Sequence, residues 1–129
     1  MNVISLKTDN TIRSVQVFAQ MGNELDMSDI RRMIPNRLEI LYPTRISRLA
    51  YIYIMFAEKE AMNRPINKVA SAILENERFI RGDVVIARTN HLGHGAKIFA
   101  LDDDEIPQVV DRISRLFGTR LTLLVEKRK

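Results

Sequence analysis

Two histidines stand three residues apart in the segment Asn90-His91-Leu92-Gly93-His94-Gly95. That spacing can offer two imidazole nitrogens to a zinc-type ion, which needs a third and usually a fourth ligand. The chain has no cysteine, and a nearby acid such as Asp102 could add an oxygen. A glycine-rich loop holds ligands too loosely for a metal site. His91 and His94 are therefore weak candidates, and the expectation is neither metal nor cofactor. Gly93-His94-Gly95-Ala96-Lys97 carries glycines and a lysine but lacks the P-loop spacing and is followed by a strand pattern, which excludes a phosphate-cradling hydrolase. Arg81-Gly82-Asp83 spells an adhesion tripeptide, but its place at the start of a strand gives Gly82 a bend and Asp83 a backbone amide to bond. There is no serine elbow and no acid–base constellation, so the chain does not read as an enzyme.

What remains is chemistry of binding. Arg31, Arg32, Arg37, Arg45 and Arg48 crowd one stretch with Tyr42 and Tyr51 among them. Arginine forks suit phosphates and carboxylates, and basic residues interleaved with aromatics can grip a nucleic-acid strand. The plainer reading is a solvated basic face. Asn63 and Asn67 flank a helix start, with Arg64, Lys68 and Arg81 able to add charge. Helix amides there favour anions, although capping and loop bracing are the commoner use of such asparagines.

These residues must be positioned by elements that the periodicity predicts. Segments 3–7 and 11–18 are rich in branched residues and joined by Asp9-Asn10, a hairpin signal. A short helix spans 26–34, with Asp26 or Ser28 as cap, Asp29 in its first turn and Arg31 and Arg32 near its end, the polarity that suits the helix dipole. Strands follow at 37–42 and 49–57. The second, LAYIYIMFA, is apolar throughout, as expected where both faces are covered. Pro65 opens a helix at its preferred first position, with Ile66, Val69, Ala70, Ile73 and Leu74 as its apolar stripe. A strand at 82–88, a loop at 89–95 and a short strand at 97–101 form a second hairpin. Asp102, Asp103, Asp104 and Glu105 read as the acidic first turn of a last helix, with Pro107 tolerated there and Gly118 as its stop. A strand at 119–126 and a basic end at 127–129 close the chain. The order β-β-α-β-β-α-β-β-α-β predicts an α+β domain, its helices on one side of a mainly antiparallel sheet.

The bulk numbers fit that picture. A chain of 129 residues, 46% hydrophobic and 28% charged, reads as one globular domain spanning residues 1–129. A net charge of +4 is a mild basic excess, giving some attraction for polyanions but no site. The first ten residues lack the pattern of a signal peptide, and the longest apolar run is too short to span a bilayer. The expectation is a soluble cytoplasmic protein that is not secreted and has no membrane partner.

Several short motifs resemble a family catalogued as domain of unknown function 3846. They are the strand end Glu39-Ile40-Leu41-Tyr42-Pro43, the helix start with Pro65, Asn67 and Ala70, the strand start with Ile80, Gly82, Asp83 and Val84 to Ile86, and the acidic run Leu101 to Glu105. The resemblance covers residues 3–113. Two features depart from it: the 49–57 strand is more apolar, and the last strand with its basic tail is extra. The resemblance implies an origin in phages, plasmids or large DNA viruses, and it carries over no catalytic residues.

Together these readings predict a small non-catalytic accessory module from a virus or mobile element. It would act stoichiometrically on a host or viral protein, inside the host cell if viral, through the 31–48 arginines and the 63–68 helix start, with homo-oligomers open. The alternatives are a nucleic-acid binder using the same arginines and a nucleotide binder at the Pro65 helix.

Overall fold

The computed structural model describes residues 2–17, 21–47, 52–74, 79–90 and 97–126. The chain opens with a hairpin of β1 (Asn2–Leu6) and β2 (Ile12–Gln16), paired antiparallel from Asn2↔Gln16 to Leu6↔Ile12. Its turn is the expected one. The Asp9 carboxylate accepts from the Thr11 amide at 3.1 Å and the Thr11 hydroxyl at 2.6 Å, and Asn10 takes a left-handed φ of 66°, which asparagine tolerates. Helix α1 (Met27–Met33) is capped by Asp26, whose side chain accepts from the Ser28 amide. Then come β3 (Leu38–Leu41), β4 (Ile52–Glu58), α2 (Lys68–Ala72), β5 (Val84–Thr89), β6 (Ile98–Phe99), α3 (Ile106–Phe117) and β7 (Leu123–Glu126). The strands form one sheet in the order β3-β4-β5-β1-β2-β7, with β6 also paired to β5. All named pairs are antiparallel except β2 with β7. The fold is α+β, in the element order the sequence predicts.

The helices do not share one side of the sheet, and this corrects the expectation. Met55, Ala57, Val84 and Ile86 pack with Val69 of α2, Ile73 at its C-terminal end, and Val109 and Ile113 of α3. The alternate residues Ile54, Phe56, Val85 and Ala87 pack with Ile30, Ile34 and Met27 around α1. Successive strand side chains point to opposite faces, so α1 covers one face and α2 with α3 the other. The cause is legible in β4 and β5, which are apolar at consecutive positions and would leave a face wet under a single layer. Burying a side chain such as Phe56 contributes roughly 1.5–3 kcal/mol, so the second layer is strongly favoured.

Two helix starts also differ from the reading. Pro65 lies three residues before α2. The segment around Ile66 instead bridges Arg81, with Gly82 donating to the Pro65 carbonyl and Asn67 to the Ile80 carbonyl. The asparagine cap, not the proline, sets the start. The acid run at 102–105 forms a turn ahead of α3 rather than its first helical turn, closed by the Glu105 amide on the Asp102 carbonyl at 3.1 Å. Pro107 does sit at the helix start, and Gly118 ends it with φ 89°. Among the described residues no helix is long and apolar enough to cross a membrane.

Candidate binding surface

Asn67 shows how the structure sorts the candidate residues. It is fully buried. Its Nδ2 donates to the carbonyls of Leu6 and Gly82, both at 2.9 Å, and its Oδ1 accepts from the Ala70 amide at 3.0 Å. Every polar atom of that side chain has a partner, so Asn67 is a cap and a brace and leaves the candidate surface. Asn63 does not join it. It is exposed in the turn closed by the Arg64 amide on the Ala61 carbonyl. Lys68 is the exposed first residue of a five-residue helix. Arg64 is paired with Glu58 at 3.1 Å, and Arg81 donates to the Arg64 carbonyl at 3.1 Å. Gly82, with φ 80°, lies under the Arg64 stem; a Cβ there would stand 3.5 Å from Arg64 Cγ. The 63–68 stretch is therefore tied down by its own neighbours.

The arginine stretch divides across the sheet. Arg31 and Arg32 lie on α1, on one face, and Arg32 pairs with Asp29 at 3.9 Å. Arg45 lies on the opposite face, where it donates to the Ala72 carbonyl at the end of α2. Tyr42 is half-buried against the α1-side core, so its ring is not an open stacking platform. Among the described residues the arginines of this stretch do not share a single face, because β3 separates residues that are close in the chain. Arg48, Tyr51, His91 and His94 lie outside the described residues.

What the fold does bring together is Arg31, Arg37 and Lys59. They rim a groove of about 500 Å³ between α1 and the edge strand β3, with Met27, Leu38 and Ile40 as its apolar lining. All three cations are exposed, and none makes an ion pair with the described residues. Ile40 is 49% exposed. Among the described residues no strand pairs with the edge beside them. Lys59 N–H donates to the Arg37 carbonyl at 2.7 Å, which extends the β3–β4 register by a hydrogen-bonded pair. In an antiparallel ladder bonded and non-bonded pairs alternate. Glu39 and Leu41 therefore bond to β4, while the N–H and C=O groups of Leu38 and Ile40 point away from it. Lys59 was missed by the sequence reading. Only its place just after β4 and opposite Arg37, a long-range pairing, puts it in this group.

A second polar group was also missed, and it is closed. The Tyr53 hydroxyl donates to Glu105 Oε2 at 2.8 Å in the interior. Glu105 Oε1 accepts from Arg88 Nη1 at 3.3 Å and from the Asp102 amide at 2.7 Å. Arg88 also reaches Asp102 at 3.5 Å, and Asn23 donates to Asp102 Oδ1 at 3.0 Å. Burial, then the hydrogen bond to Glu105 and its charge, push the Tyr53 hydroxyl far above its usual range, so it stays protonated. No sequence signal pointed to it, since the pairing of Tyr53 with Arg88 across adjacent strands appears only in the folded chain. Glu105 read instead as one of four solvated acids. The group ties the turn before α3 to β4 and β5.

A wider groove of about 970 Å³ runs between α3 and β7, past Val110, Ser114 and Leu121. Its charged residues include Asp111 and Arg115, which pair with each other at 3.0 Å. Among the described residues no group of three or more histidines, cysteines or acids is placed to hold a metal. Compared with known protein families, characterised proteins and solved structures, the chain matches none.

Proposed function

We propose that the protein is a small non-catalytic module that acts stoichiometrically by holding a partner protein at the α1–β3 edge. The observation that carries this is the juxtaposition of three cations without ion partners among the described residues, an apolar groove lining and a strand edge that no described strand pairs. Exposed apolar area next to free backbone groups is the usual make-up of a protein-binding edge. The closed Tyr53–Glu105–Arg88 group supports the non-catalytic part, since its proton and charges are already committed. An origin in a virus or mobile element, with a host or viral partner in the cytoplasm, belongs to the same proposal and rests on the motif resemblance.

The test has two arms. Freshly purified protein should show no nucleobase absorption band, which its three tyrosines and lack of tryptophan would leave easy to see. A photocrosslinker at Ile40, used in the cells where the protein is native, should give a discrete protein adduct, and one at Gln108 on α3 should not. A nucleobase band removed by a salt wash would replace this reading with nucleic-acid binding through the same cations.

A further inference from the structure

We infer that the partner presents an extended segment of alternating acidic and apolar residues, which adds to the sheet as a strand beside β3; this rests on the reading of the α1–β3 edge as the binding surface. Strand addition needs main-chain groups that no neighbour uses. The register supplies them at Leu38 and Ile40, whose N–H and C=O groups point outward from β4. Specificity then comes from the side chains of the added strand, alternate ones facing the groove. That groove takes an apolar side chain against Met27, Leu38 and Ile40, and its rim of Arg31, Arg37 and Lys59 takes carboxylates.

Charge selects among the occupants. A second copy of the chain pairing β3 with β3 would set each trio of cations against its twin. Pairing with β7 of another copy fares little better: Glu126 there is already engaged by Arg13 at 3.7 Å, and Lys127, Arg128 and Lys129 follow it. A nucleic-acid strand would meet the cations but find an aliphatic and thioether lining in place of an aromatic platform, and it has no use for the two outward peptide groups. Protection of an edge against aggregation would also explain charge at its rim. It does not explain a half-exposed isoleucine between the charges.

The test uses an eight-residue peptide of alternating glutamate and valine, its ends blocked. A second peptide has the same sequence with alternate amides N-methylated, which keeps charge and side chains but prevents ladder bonding. A single-stranded thymidine oligonucleotide is the third probe. Calorimetry should show saturable binding of the first peptide, and NMR should show new protection from exchange at the Leu38 and Ile40 amides. Roughly tenfold weaker binding is expected for the methylated peptide, and for the first peptide with the Arg37→Glu/Lys59→Glu protein. Ile40→Lys, a surface change, should weaken it without unfolding. Equal affinity of the two peptides, absence of saturable binding by the first, or tighter binding of the oligonucleotide through the same residues would overturn the inference. If the peptide fails while the Ile40 crosslink still forms, the mode of binding is wrong and the surface stands. If both fail, the proposed function falls with it.

Discussion

Arg88 and Arg37 lie on neighbouring parts of one sheet and are put to opposite uses. Arg88 is drawn inward, its guanidinium on Glu105 and Asp102, with Tyr53 completing the group. Arg37 stands outside with Arg31 and Lys59, and none of the three has an ion partner among the described residues. The first arrangement satisfies every charge from within the chain, which is what burial demands. The second leaves like charges close together, which the folded chain alone gains nothing from. Where polar groups are fully answered internally, as at Asn67 and Glu105, they fix the fold. Where charge is left unanswered beside exposed apolar surface, the proposed function assigns the answer to a partner.

The comparison breaks if the interior polar groups prove dispensable, and the largest effects should appear there. Asn67→Ala would orphan the Gly82 carbonyl and the Ala70 amide in the interior and take a second donor from the Leu6 carbonyl, which keeps its ladder pairing with Val84. At ~1–3 kcal/mol for each unsatisfied group, partly relieved by water, the loss should be on the order of 4 kcal/mol. Urea unfolding followed by circular dichroism would measure it, and a loss below about 1 kcal/mol would mean the hub is not what holds α2 to the sheet. Glu105→Ala comes next. It leaves the Tyr53 hydroxyl without its acceptor and takes from Arg88 its contact with Glu105, and breaking such a buried pair costs about 3 kcal/mol. The double change Tyr53→Phe/Glu105→Ala should cost less than the sum of the two single changes, because the two groups share one interaction.

These sites also mark how far the sequence could be read. The order of ten elements was legible because hydrophobic period and turn residues are local properties. Asp9-Asn10, Pro107 and Gly118 each did what their chemistry predicts. The placement of helices was misread although the signal was there: a strand apolar at consecutive positions states that both faces are covered, but not which helix covers which. Pro65 lost its role because Asn67 offers α2 a better cap and Pro65 is drawn into a bridge near Arg81. The Tyr53–Glu105 bond joins residues 52 positions apart, and no local pattern announces it. The candidate surface suffered most. Residues 31–48 are contiguous in the chain, yet β3 sends Arg45 to the far face and draws in Lys59 from just beyond β4.

A finer test lies where a paired arginine almost meets the cations that have no ion partner among the described residues. Glu58 is next to Lys59 and is held by Asn36 and Arg64. The Asn36 hydrogen bond first, and then Arg64, hold its carboxyl below the usual carboxylate range. A depressed folded pKa contributes stability that is present above the unfolded value and is lost as pH falls through the folded one. The expected outcome is that Glu58→Gln lowers the melting temperature by at most a few degrees at neutral pH, and that the gap to the parent protein closes as the solution is acidified. Asp9, lowered chiefly by the Thr11 hydroxyl and amide, has the same sign, so the parent Asp9→Asn series should be run beside it. A gap that is constant with pH would show that Glu58 acts by packing, and Arg64 would then join the unpaired set.

The smallest expected effect on stability carries the most weight for function. Arg31→Glu and Arg37→Glu each remove an exposed cation that has no ion partner among the described residues and sits near two others. Surface changes of this kind fall within about ±0.5 kcal/mol, and relief of like-charge repulsion pushes them toward zero or slight stabilisation. High salt should erase even that difference, since exposed charges are screened beyond a Debye length of roughly 10 Å at moderate ionic strength. Equilibrium unfolding at low and high salt measures both points. A loss above about 1 kcal/mol that survives salt would reveal a structural partner for these arginines, and the contrast with Arg88 would collapse. Near-neutral stability together with lost crosslinking from Ile40 would separate the two uses of arginine cleanly, because the fold would be intact while the edge had stopped holding its partner.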